Sequence, residues 1–404
     1  MKRVIVIGAG ASGLMAACFA AKSGNSVTVL ERNEKAGKKI YITGKGRCNV
    51  TNAVRPDIFL ENVVRNGKFL TGCVYAFPPD RLMQMLENGG LPLKTERGNR
   101  VFPVSDHASD VTKCLIRFCE EAGVRFVFNT RVQSVKKTDP GFRVLAENED
   151  FAADAVIVCT GGLSYPGTGS TGDGYRFARE FGLKIIDCRP SLCGIECDMR
   201  GLEGLQGLSL RNVRLTARAG RRVITYFGEM LFTHFGISGP IVLSLSASVN
   251  DGPLANFEIS LDLKPALDID TLDKRLLHDF SQYRNKQLQN ALIDLLPKSM
   301  ILPVLGIGQI NHALPVNAVT RLQRRRICET IKNFPLHAKT LRPISEAIIT
   351  AGGVDVGQIN PKTMECKFVP GLYFCGEVLD VDALTGGYNL HIALATGYAA
   401  GNSV

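Results

Sequence analysis

The feature that most constrains the fold is a glycine-rich turn that lies directly between a predicted strand and a predicted helix. Residues 2–7 are rich in β-branched side chains and too short for a helix, which predicts a buried strand. The turn Gly8-Ala-Gly-Ala-Ser-Gly13 follows, and small apolar residues continue at helical spacing over 14–23. A second strand is predicted over 27–30, so the chain opens with a βαβ unit.

This turn fits GxGxxG, the fingerprint of a dinucleotide-binding site. Gly8 allows a tight turn, Gly10 lets backbone amides approach a diphosphate, and Gly13 permits close packing of the helix on the strand. The helix N-terminus adds partial positive charge that favours the anion. Glu31 ends the second strand at about the 20-residue spacing at which an acid binds ribose hydroxyls. The motif predicts a nucleotide site but leaves NAD and FAD open.

Two further segments favour FAD. Residues 155–162 predict a buried strand that ends in Thr160-Gly161, and residues 371–377 predict an aromatic strand that ends in Gly376-Glu377. In flavoproteins of the glutathione-reductase type, such a strand brings its acid to the ribityl chain, which NAD lacks. We therefore predict an α/β fold with a Rossmann-like FAD-binding domain of the glutathione-reductase type.

The pattern of the chain changes twice, which predicts that this domain is interrupted. With roughly 100–200 residues per domain, a chain of 404 residues predicts two or three domains. Short alternating segments indicate a β-rich subdomain over 191–265, and helical periodicity indicates a helical subdomain over 266–343. The first pattern then returns, so 1–190 and 344–404 are predicted to form one discontinuous FAD-binding domain.

Composition excludes several classes of protein. Hydrophobic residues make up 45% and charged residues 21% of the chain, which is typical of a globular protein and excludes intrinsic disorder. No run approaches the ~18 apolar residues of a membrane span, so an integral membrane protein is excluded. Twelve scattered cysteines match no metal-binding spacing, and without an export signal they indicate reduced thiols in the cytoplasm.

Several motifs along the whole chain resemble those of one bacterial family of FAD-dependent oxidoreductases. Characterised members of that family include an aminoacetone oxidase and a reductase of 3-dehydro bile acids. The matching motifs lie at 36–52, 100–105, 165–174, 228–240, 350–354 and 371–401. The resemblance implies an FAD domain that is interrupted by a β subdomain and a helical subdomain. It also implies Gln and Ser where this chain has His391 and Cys366, which leaves a flavin-facing role for position 391 in doubt.

A helix start near the C-terminus is predicted to face the isoalloxazine ring. Reduced flavin carries negative charge on one edge of the ring, which the N-terminus of a helix would stabilise. The segment Gly386-Gly-Tyr-Asn389 has the required form, and we expect the amides of Asn389 and Leu390 to contact the ring. The predicted cofactor-binding residues are Gly8, Gly10, Ala11, Ser12, Gly13, Glu31, Arg32, Lys38, Gly44, Arg47, Cys48, Val132, Thr160, Gly161, Gly376, Glu377, Gly387, Asn389 and Leu390.

No catalytic side chain is predicted firmly, because the flavin itself carries the hydride chemistry. His234 and Cys48 are weak candidates: His234 as an acid toward the substrate, and Cys48 as a redox-active thiol. Both residue types more often have structural roles. A second GxGxxG dinucleotide-binding domain is absent, so NADH or NADPH would bind only transiently, as an electron donor.

The predicted function is FAD-dependent oxidation or reduction of a small organic molecule. The favoured reaction is NAD(P)H-linked reduction of an unsaturated or oxo substrate, and the alternative is an oxygen-using amine oxidase. A remoter alternative is an RNA-handling flavoprotein, supported by the net charge of +10, the run Arg321-Leu-Gln-Arg-Arg-Arg326 and the series of arginines over 211–222. Because charge runs are usually solvated faces and no standard RNA-binding motif occurs, nucleic acid is the less favoured partner. The oligomeric state is left open.

Overall fold

A computed structural model describes the whole chain, residues 1–404, which divides into two compact units. The first unit comprises Met1–Ser191 and Pro343–Val404, and the second comprises Leu192–Arg342. None of the helices combines the length and apolar character that a membrane span requires.

The strands of both units are numbered in chain order. They are β1 (Arg3–Ile7), β2 (Ser26–Leu30), β3 (Thr51–Asn52), β4 (Val63–Arg65), β5 (Leu93–Glu96), β6 (Arg100–Pro103), β7 (Arg125–Val127), β8 (Val132–Lys137), β9 (Phe142–Ala146), β10 (Asp150–Ala153), β11 (Ala155–Val158), β12 (Ile185–Ser191), β13 (Ile195–Cys197), β14 (Ser209–Ala219), β15 (Arg222–Thr233), β16 (Gly236–Ser238), β17 (Glu258–Asp262), β18 (Phe334–Leu336), β19 (Ala338–Leu341), β20 (Ile349–Val354), β21 (Leu372–Phe374) and β22 (Asp382–Ala383).

The α-helices are numbered in the same way. They are α1 (Ala11–Lys22), α2 (Lys38–Ile42), α3 (Pro56–Glu61), α4 (Gly67–Ala76), α5 (Pro79–Asn88), α6 (Ala108–Glu121), α7 (Asp173–Glu180), α8 (Pro240–Val249), α9 (Ile269–Gln282), α10 (Leu288–Ala291), α11 (Lys298–Ile307), α12 (Arg321–Lys332) and α13 (Tyr388–Ser403).

The first unit is built on a five-stranded parallel sheet in the order β21-β11-β1-β2-β7. Its central strand β1 is buried from Val4 to Ile7, as expected where helices cover both faces of a parallel sheet. All five strands point the same way, so the loops that follow them meet at one edge. The predicted α/β class and the Rossmann-like character of this domain are confirmed.

The first and last helices of the chain pack against each other with backbone in direct contact. A Cβ on Gly397 of α13 would lie 2.3 Å from the carbonyl oxygen of Ser12 in α1, and one on Gly401 would lie 2.5 Å from that of Ala16. Both distances are far below van der Waals contact, so glycine is required at these two positions. The packing brings the N-terminal turn of α1 against the middle of α13, at Gly397.

Strands β12 and β20 carry the chain out of the first unit and back into it. They pair antiparallel, from Ile185 opposite Val354 to Ser191 opposite Ile349. In the sequence, the second unit is therefore an insertion between β12 and β20, two strands of the first unit that pair with each other.

The second unit has a seven-stranded sheet in the order β18-β17-β14-β15-β16-β13-β19. The described pairs are antiparallel, and one hydrophobic core joins the sheet to residues of α8, α9, α11 and α12. The predicted division into a β-rich part (191–265) and a helical part (266–343) is not followed, because Phe334–Leu336 and Ala338–Leu341 return to the sheet on β17 and β13. Those pairings join residues distant in sequence, which local periodicity does not reveal.

Candidate functional site

The turn after β1 lies at the carboxyl edge of the parallel sheet and has no room for side chains. Gly8 has a φ of +100°, and a Cβ there would lie 2.6 Å from the carbonyl oxygen of Cys159, the residue after β11. A Cβ on Gly13 would lie 1.9 Å from the carbonyl oxygen of Gly8. Glycine is therefore required at both positions, and the turn folds tightly over the end of β1.

Helix α1 begins directly after this turn, and no side chain caps its N-terminal amides. Gly10 is the N-cap, no side chain caps the helix, and no acidic residue lies in the first turn. The first N–H groups of a helix have no partner within the helix, and they carry partial positive charge. Ala11 and Ser12 are thus placed to donate to a diphosphate.

Glu31 follows β2 and is held beside the turn. Its Oε2 accepts a hydrogen bond of 2.7 Å from the Ala9 amide, and its Oε1 accepts from the Asn33 amide (2.9 Å) and side chain (2.6 Å). The residue is 7% exposed. Oε2 has one further acceptor site, so the carboxylate can bind a ribose hydroxyl there while the contacts of Oε1 fix its orientation.

Val132 follows, by two residues, a segment that is bonded to the end of β2. It begins β8 and is buried, and the preceding segment is attached to the end of β2 because the Thr130 amide donates to the Glu31 carbonyl at 2.9 Å. The predicted contact of Val132 with the cofactor therefore stays a prediction.

Two predicted cationic contacts have partners of their own. Arg32 donates to the Thr171 hydroxyl at 2.6 Å and reaches Asp173 at 3.4 Å, and Lys38 pairs with Glu34 at 2.7 Å. These ion pairs give both cations a role within the protein. Their contact with a phosphate stays a prediction.

The loop over 44–48 has an unusual backbone. Gly44, Lys45, Gly46 and Cys48 all have positive φ, which costs energy for Lys45 and Cys48. Arg47 holds the loop through ion pairs with Glu96 and Asp106, and its guanidinium lies 4.2 Å from the centre of the Phe102 ring. Strain of this kind is concentrated at ligand-binding segments, where the surrounding structure maintains it.

The two weak catalytic candidates lie in different environments. Burial raises the pKa of the fully buried Cys48 thiol to about 12, which favours the unreactive neutral form. His234 lies in the second unit, exposed, with its ring edge-on to Phe235 at 5.2 Å. Neither environment adds support for a catalytic role.

Glu377, which follows β21, lies in a network of hydrogen bonds. Its Oε1 accepts from the Ser164 hydroxyl (2.6 Å) and the Thr350 amide (2.9 Å), and its Oε2 accepts from the Lys39 ammonium at 2.5 Å. Lys39 also donates to Ser164 at 2.6 Å. One acceptor site on Oε2 is left for a ribityl hydroxyl.

Sequence reasoning missed Lys39, Ser164 and Thr350. Lys39 and Thr350 lie inside the motifs at 36–52 and 350–354, and Ser164 directly precedes the motif at 165–174. Their position in the motifs could therefore have marked them as site residues. What the sequence did not indicate is which of the adjacent residues Lys38 and Lys39 pairs with Glu377.

The start of α13 is pressed against β3. Gly387 is its N-cap with a φ of +97°, and a Cβ there would lie 2.4 Å from the Thr51 carbonyl oxygen. The Asn389 side chain bridges the preceding strand, since it accepts from the Ala383 amide at 2.9 Å and donates to the Ala383 carbonyl at 2.7 Å. The backbone amides of Asn389 and Leu390 are in the first turn, where no helical acceptor is available.

His391 faces the interior. Its Nε2 lies 3.0 Å from the Phe77 carbonyl, to which it donates, and its Nδ1 lies 3.0 Å from the Thr51 hydroxyl, from which it accepts. Burial lowers its pKa to about 4, so the ring is neutral at pH 7. Position 391 therefore acts on the site indirectly, by holding α13 against the segment that contains Thr51.

The predicted residues of the first unit fit an FAD molecule. The turn at Gly8–Gly13, the end of β2, Thr160-Gly161 after β11 and Gly376-Glu377 after β21 meet at one edge of the sheet. Close approach links them further, since a Cβ on Gly376 would lie 2.6 Å from the Ser12 hydroxyl. The buried side-chain oxygens of Asn49, Asn52 and Thr160 have no partner in the protein, which is typical of groups that bind a ligand.

Comparisons with known proteins agree with this geometry. The family described as "HI0933-like protein Rossmann domain" matches residues 2–403. A protein of Escherichia coli K12 named ribosomal RNA dihydrouridine synthase is 31% identical over 400 residues, covering 98% of this chain and 96% of the relative. A protein of Clostridium scindens named 3-dehydro-bile acid delta(4,6)-reductase is also 31% identical, over 408 residues, covering 100% and 99%. The structure is similar to that of an open-conformation flavocytochrome c3 fumarate reductase, with a TM-score of 0.53, 16% identity and coverage of 100% of this chain and 78% of the other.

Replacing Gly387 should abolish flavin retention. Gly387→Val places a branched side chain against the Thr51 carbonyl and forces a left-handed backbone on valine, which displaces the start of α13. We expect purified Gly387→Val to have lost most of its visible flavin absorbance. The matched control is Gly252→Val, because Gly252 has open space around it. Equal flavin content in the two variants would contradict the role of the α13 N-terminus.

Replacing His391 should flatten the dependence of stability on pH. The pKa of His391 is about 4 in the folded protein against an ordinary 6.5, so between these values the unfolded chain binds more protons and stability falls as pH falls. In His391→Gln the glutamine amide can still donate to the Phe77 carbonyl and accept from the Thr51 hydroxyl, but the group that binds the proton is gone. From pH 7 to 4, the wild-type protein should lose about 3 kcal/mol more than His391→Gln.

The measurement is urea denaturation across that pH range at one fixed FAD concentration. The control is His234→Gln, in which an exposed histidine is replaced. Parallel pH profiles for wild type and His391→Gln would refute the buried, neutral state of His391.

Proposed function

The chain belongs to the HI0933-like Rossmann family and is an FAD-dependent oxidoreductase, and we propose that it reduces a carbon–carbon double bond conjugated to a carbonyl group. The observation that carries this proposal is that the two named relatives, each similar over nearly its whole length, share one type of reaction. The resemblance found in the sequence is confirmed at the level of the family.

The shared reaction follows from the chemistry of the two products. Dihydrouridine is uridine with its C5–C6 double bond saturated, and that bond is conjugated to the C4 carbonyl. A delta(4,6)-reductase of a 3-dehydro bile acid saturates double bonds conjugated to the 3-oxo group. For uridine and for the Δ4 bond of the bile acid, a hydride is added to the carbon β to the carbonyl and a proton to the α carbon. For the Δ6 bond, conjugation places the hydride on the δ carbon and the proton on the γ carbon.

Bound FAD would supply the hydride, and the residues of this chain would bind and orient it. The amides at the start of α1 would hold the diphosphate, and Glu31 the adenosine ribose. Glu377, fixed by Lys39 and Ser164, would accept from a ribityl hydroxyl. The amides of Asn389 and Leu390 would donate to the edge of the ring that becomes negative on reduction.

The electrons would come from NADH or NADPH. The reaction consumes one hydride from the nicotinamide and one proton for each double bond that is saturated. Because a GxGxxG turn lies directly between a strand and a helix only at 8–13, we propose that the nicotinamide cofactor binds transiently and leaves after reducing the flavin. Neither relative's name describes an oxidase, so the reductase is favoured over the oxygen-using amine oxidase.

Two substrate classes contain the required bond, and an observation favours each. A uracil base within RNA is favoured by the net charge of +10, because a polyanionic substrate is attracted to a basic protein. A small unsaturated ketone is favoured by the bile-acid reductase, which is as similar to this chain as the RNA enzyme is. We propose RNA as the substrate class and keep the small ketone as the second candidate. This reverses the order reached from the sequence.

The product should contain two added hydrogens. The protein would be incubated without oxygen with deuterated NADPH or NADH and either ribosomal RNA from a strain that lacks this gene or a 3-oxo-Δ4,6 bile acid. We expect mass spectrometry to find dihydrouridine in the RNA, with deuterium at C6.

Gly387→Val, with its expected loss of flavin, is the negative control. If the bile acid is reduced and the RNA is not, the RNA substrate is refuted and the small unsaturated ketone is favoured. No reduced product with either substrate, together with amine-dependent release of hydrogen peroxide, would refute the reductase and favour the amine oxidase.

A further inference from the structure

Strands β14 and β15 form a long antiparallel hairpin in the second unit. Arg214 lies opposite Phe227, Thr216 opposite Thr225, and Arg218 opposite Val223. Two residues, Gly220 and Arg221, make the turn between the strands. Because side chains alternate along a strand, these opposed pairs lie on one face of the hairpin.

The two faces of this hairpin differ in chemistry. Val213, Leu215 and Ala217 are buried and belong to the hydrophobic core of the second unit. On the other face Phe227 is 57% exposed and Val223 is 48% exposed. We call this second face, defined by Arg214, Thr216, Arg218, Val223, Thr225 and Phe227, the hairpin face.

Four of the five arginines of the hairpin have no side-chain partner in the protein, while the fifth, Arg222, pairs with Asp251 at 2.7 Å. Arg211, Arg214, Arg218 and Arg221 are exposed, and none of their side chains takes part in a hydrogen bond or an ion pair. Two arginines of α12 in the same unit are neutralised. Thus Arg324 pairs with Asp273 at 2.7 Å, and Arg325 pairs with Asp270 at 3.2 Å.

The carboxylates nearest to the hairpin face do not cancel its charge. Asp262, opposite Arg214 on β17, is already paired with Lys332 at 2.7 Å. Glu258 lies opposite Arg218, and Glu229 is on β15, yet neither forms an ion pair. Four unpaired arginines against two unpaired glutamates leave the hairpin with an excess of positive charge.

We propose that the hairpin face binds a single-stranded segment of RNA. The inference rests on the proposed function, in which RNA contains the substrate base. Arg214 and Arg218 are four residues apart on one strand, or ~13 Å, and would bind phosphates of one chain. Phe227 lies beside Arg214 with its ring exposed, and a base would stack on it.

A second copy of the chain fits the hairpin face less well. In a symmetric dimer the same patch meets itself, which would bring the unpaired arginines of one copy toward those of the other. A polyanion supplies the missing opposite charge, and the exposed aromatic ring fits the flat face of a base.

The test compares two triple variants of the full-length flavoprotein. Arg211→Ala/Arg214→Ala/Arg218→Ala removes three charges from the hairpin. Arg284→Ala/Arg321→Ala/Arg326→Ala removes three exposed, unpaired arginines from elsewhere in the second unit and is the matched control. Equal flavin spectra would show that both variants fold.

Binding of a fluorescent, uridine-containing single-stranded RNA would be followed by anisotropy at several salt concentrations. Each phosphate contact in a single strand contributes about 0.7 to the slope of log K against log salt, so loss of the contacts of Arg214 and Arg218 should lower that slope by at least about 1.4, and the control should not. Phe227→Ala should weaken binding about tenfold at an unchanged slope, because stacking is not ionic.

The outcomes separate this inference from the proposed function. The wild-type protein could bind RNA and make dihydrouridine while both triple variants are equally affected. That result would refute RNA binding by the hairpin face, but the proposal that RNA is the substrate class would stand. Failure of the wild-type protein to bind RNA would overturn both. If the hairpin variant instead turns a sedimenting dimer into a monomer and leaves RNA binding unchanged, the face is a contact between copies and the inference is overturned.

Discussion

The site depends on direct backbone contact between the first and last helices of the chain. Gly397 and Gly401 of α13 allow it to approach the carbonyls of Ser12 and Ala16 in α1. This contact places the glycine-rich turn, the proposed diphosphate site, beside the helix whose N-terminus is proposed to face the flavin. A larger residue at either glycine would separate the two helices, and the two halves of the cofactor site would no longer match one FAD molecule.

The site is also preorganised electrostatically. The starts of α1 and α13 both have amides without helical acceptors, and neither start has an acidic residue, so both favour anionic groups. Charged side chains nearby are mostly occupied by partners, as Lys39 is by Glu377 and Arg47 is by Glu96. We therefore propose that the protein recognises the cofactor chiefly through backbone groups and fixed hydrogen bonds, which require little rearrangement on binding.

The parts of the fold that the sequence predicted are those set by local geometry. Gly8, Gly13 and Gly387 mark positions where the backbone requires glycine, so the motifs around them located the site. The parts that were not predicted depend on distant partners or on side-chain direction. One example is that Lys39, rather than Lys38, pairs with Glu377, and another is that β18 pairs with the distant strand β17. The arginine series shows the same limit, because only the structure distinguishes Arg324, which is paired with Asp273, from the unpaired Arg214.

The central claim is that this flavoprotein reduces conjugated double bonds with electrons from a nicotinamide cofactor. The most direct measurement is the visible spectrum of the purified protein during anaerobic addition of NADH or NADPH, followed by addition of RNA. The account predicts a yellow protein whose flavin absorbance bleaches with the nicotinamide and returns when uridine-containing RNA is added. A flavin that stays oxidised in NADH and NADPH, or a colourless protein that FAD does not reconstitute, would contradict it.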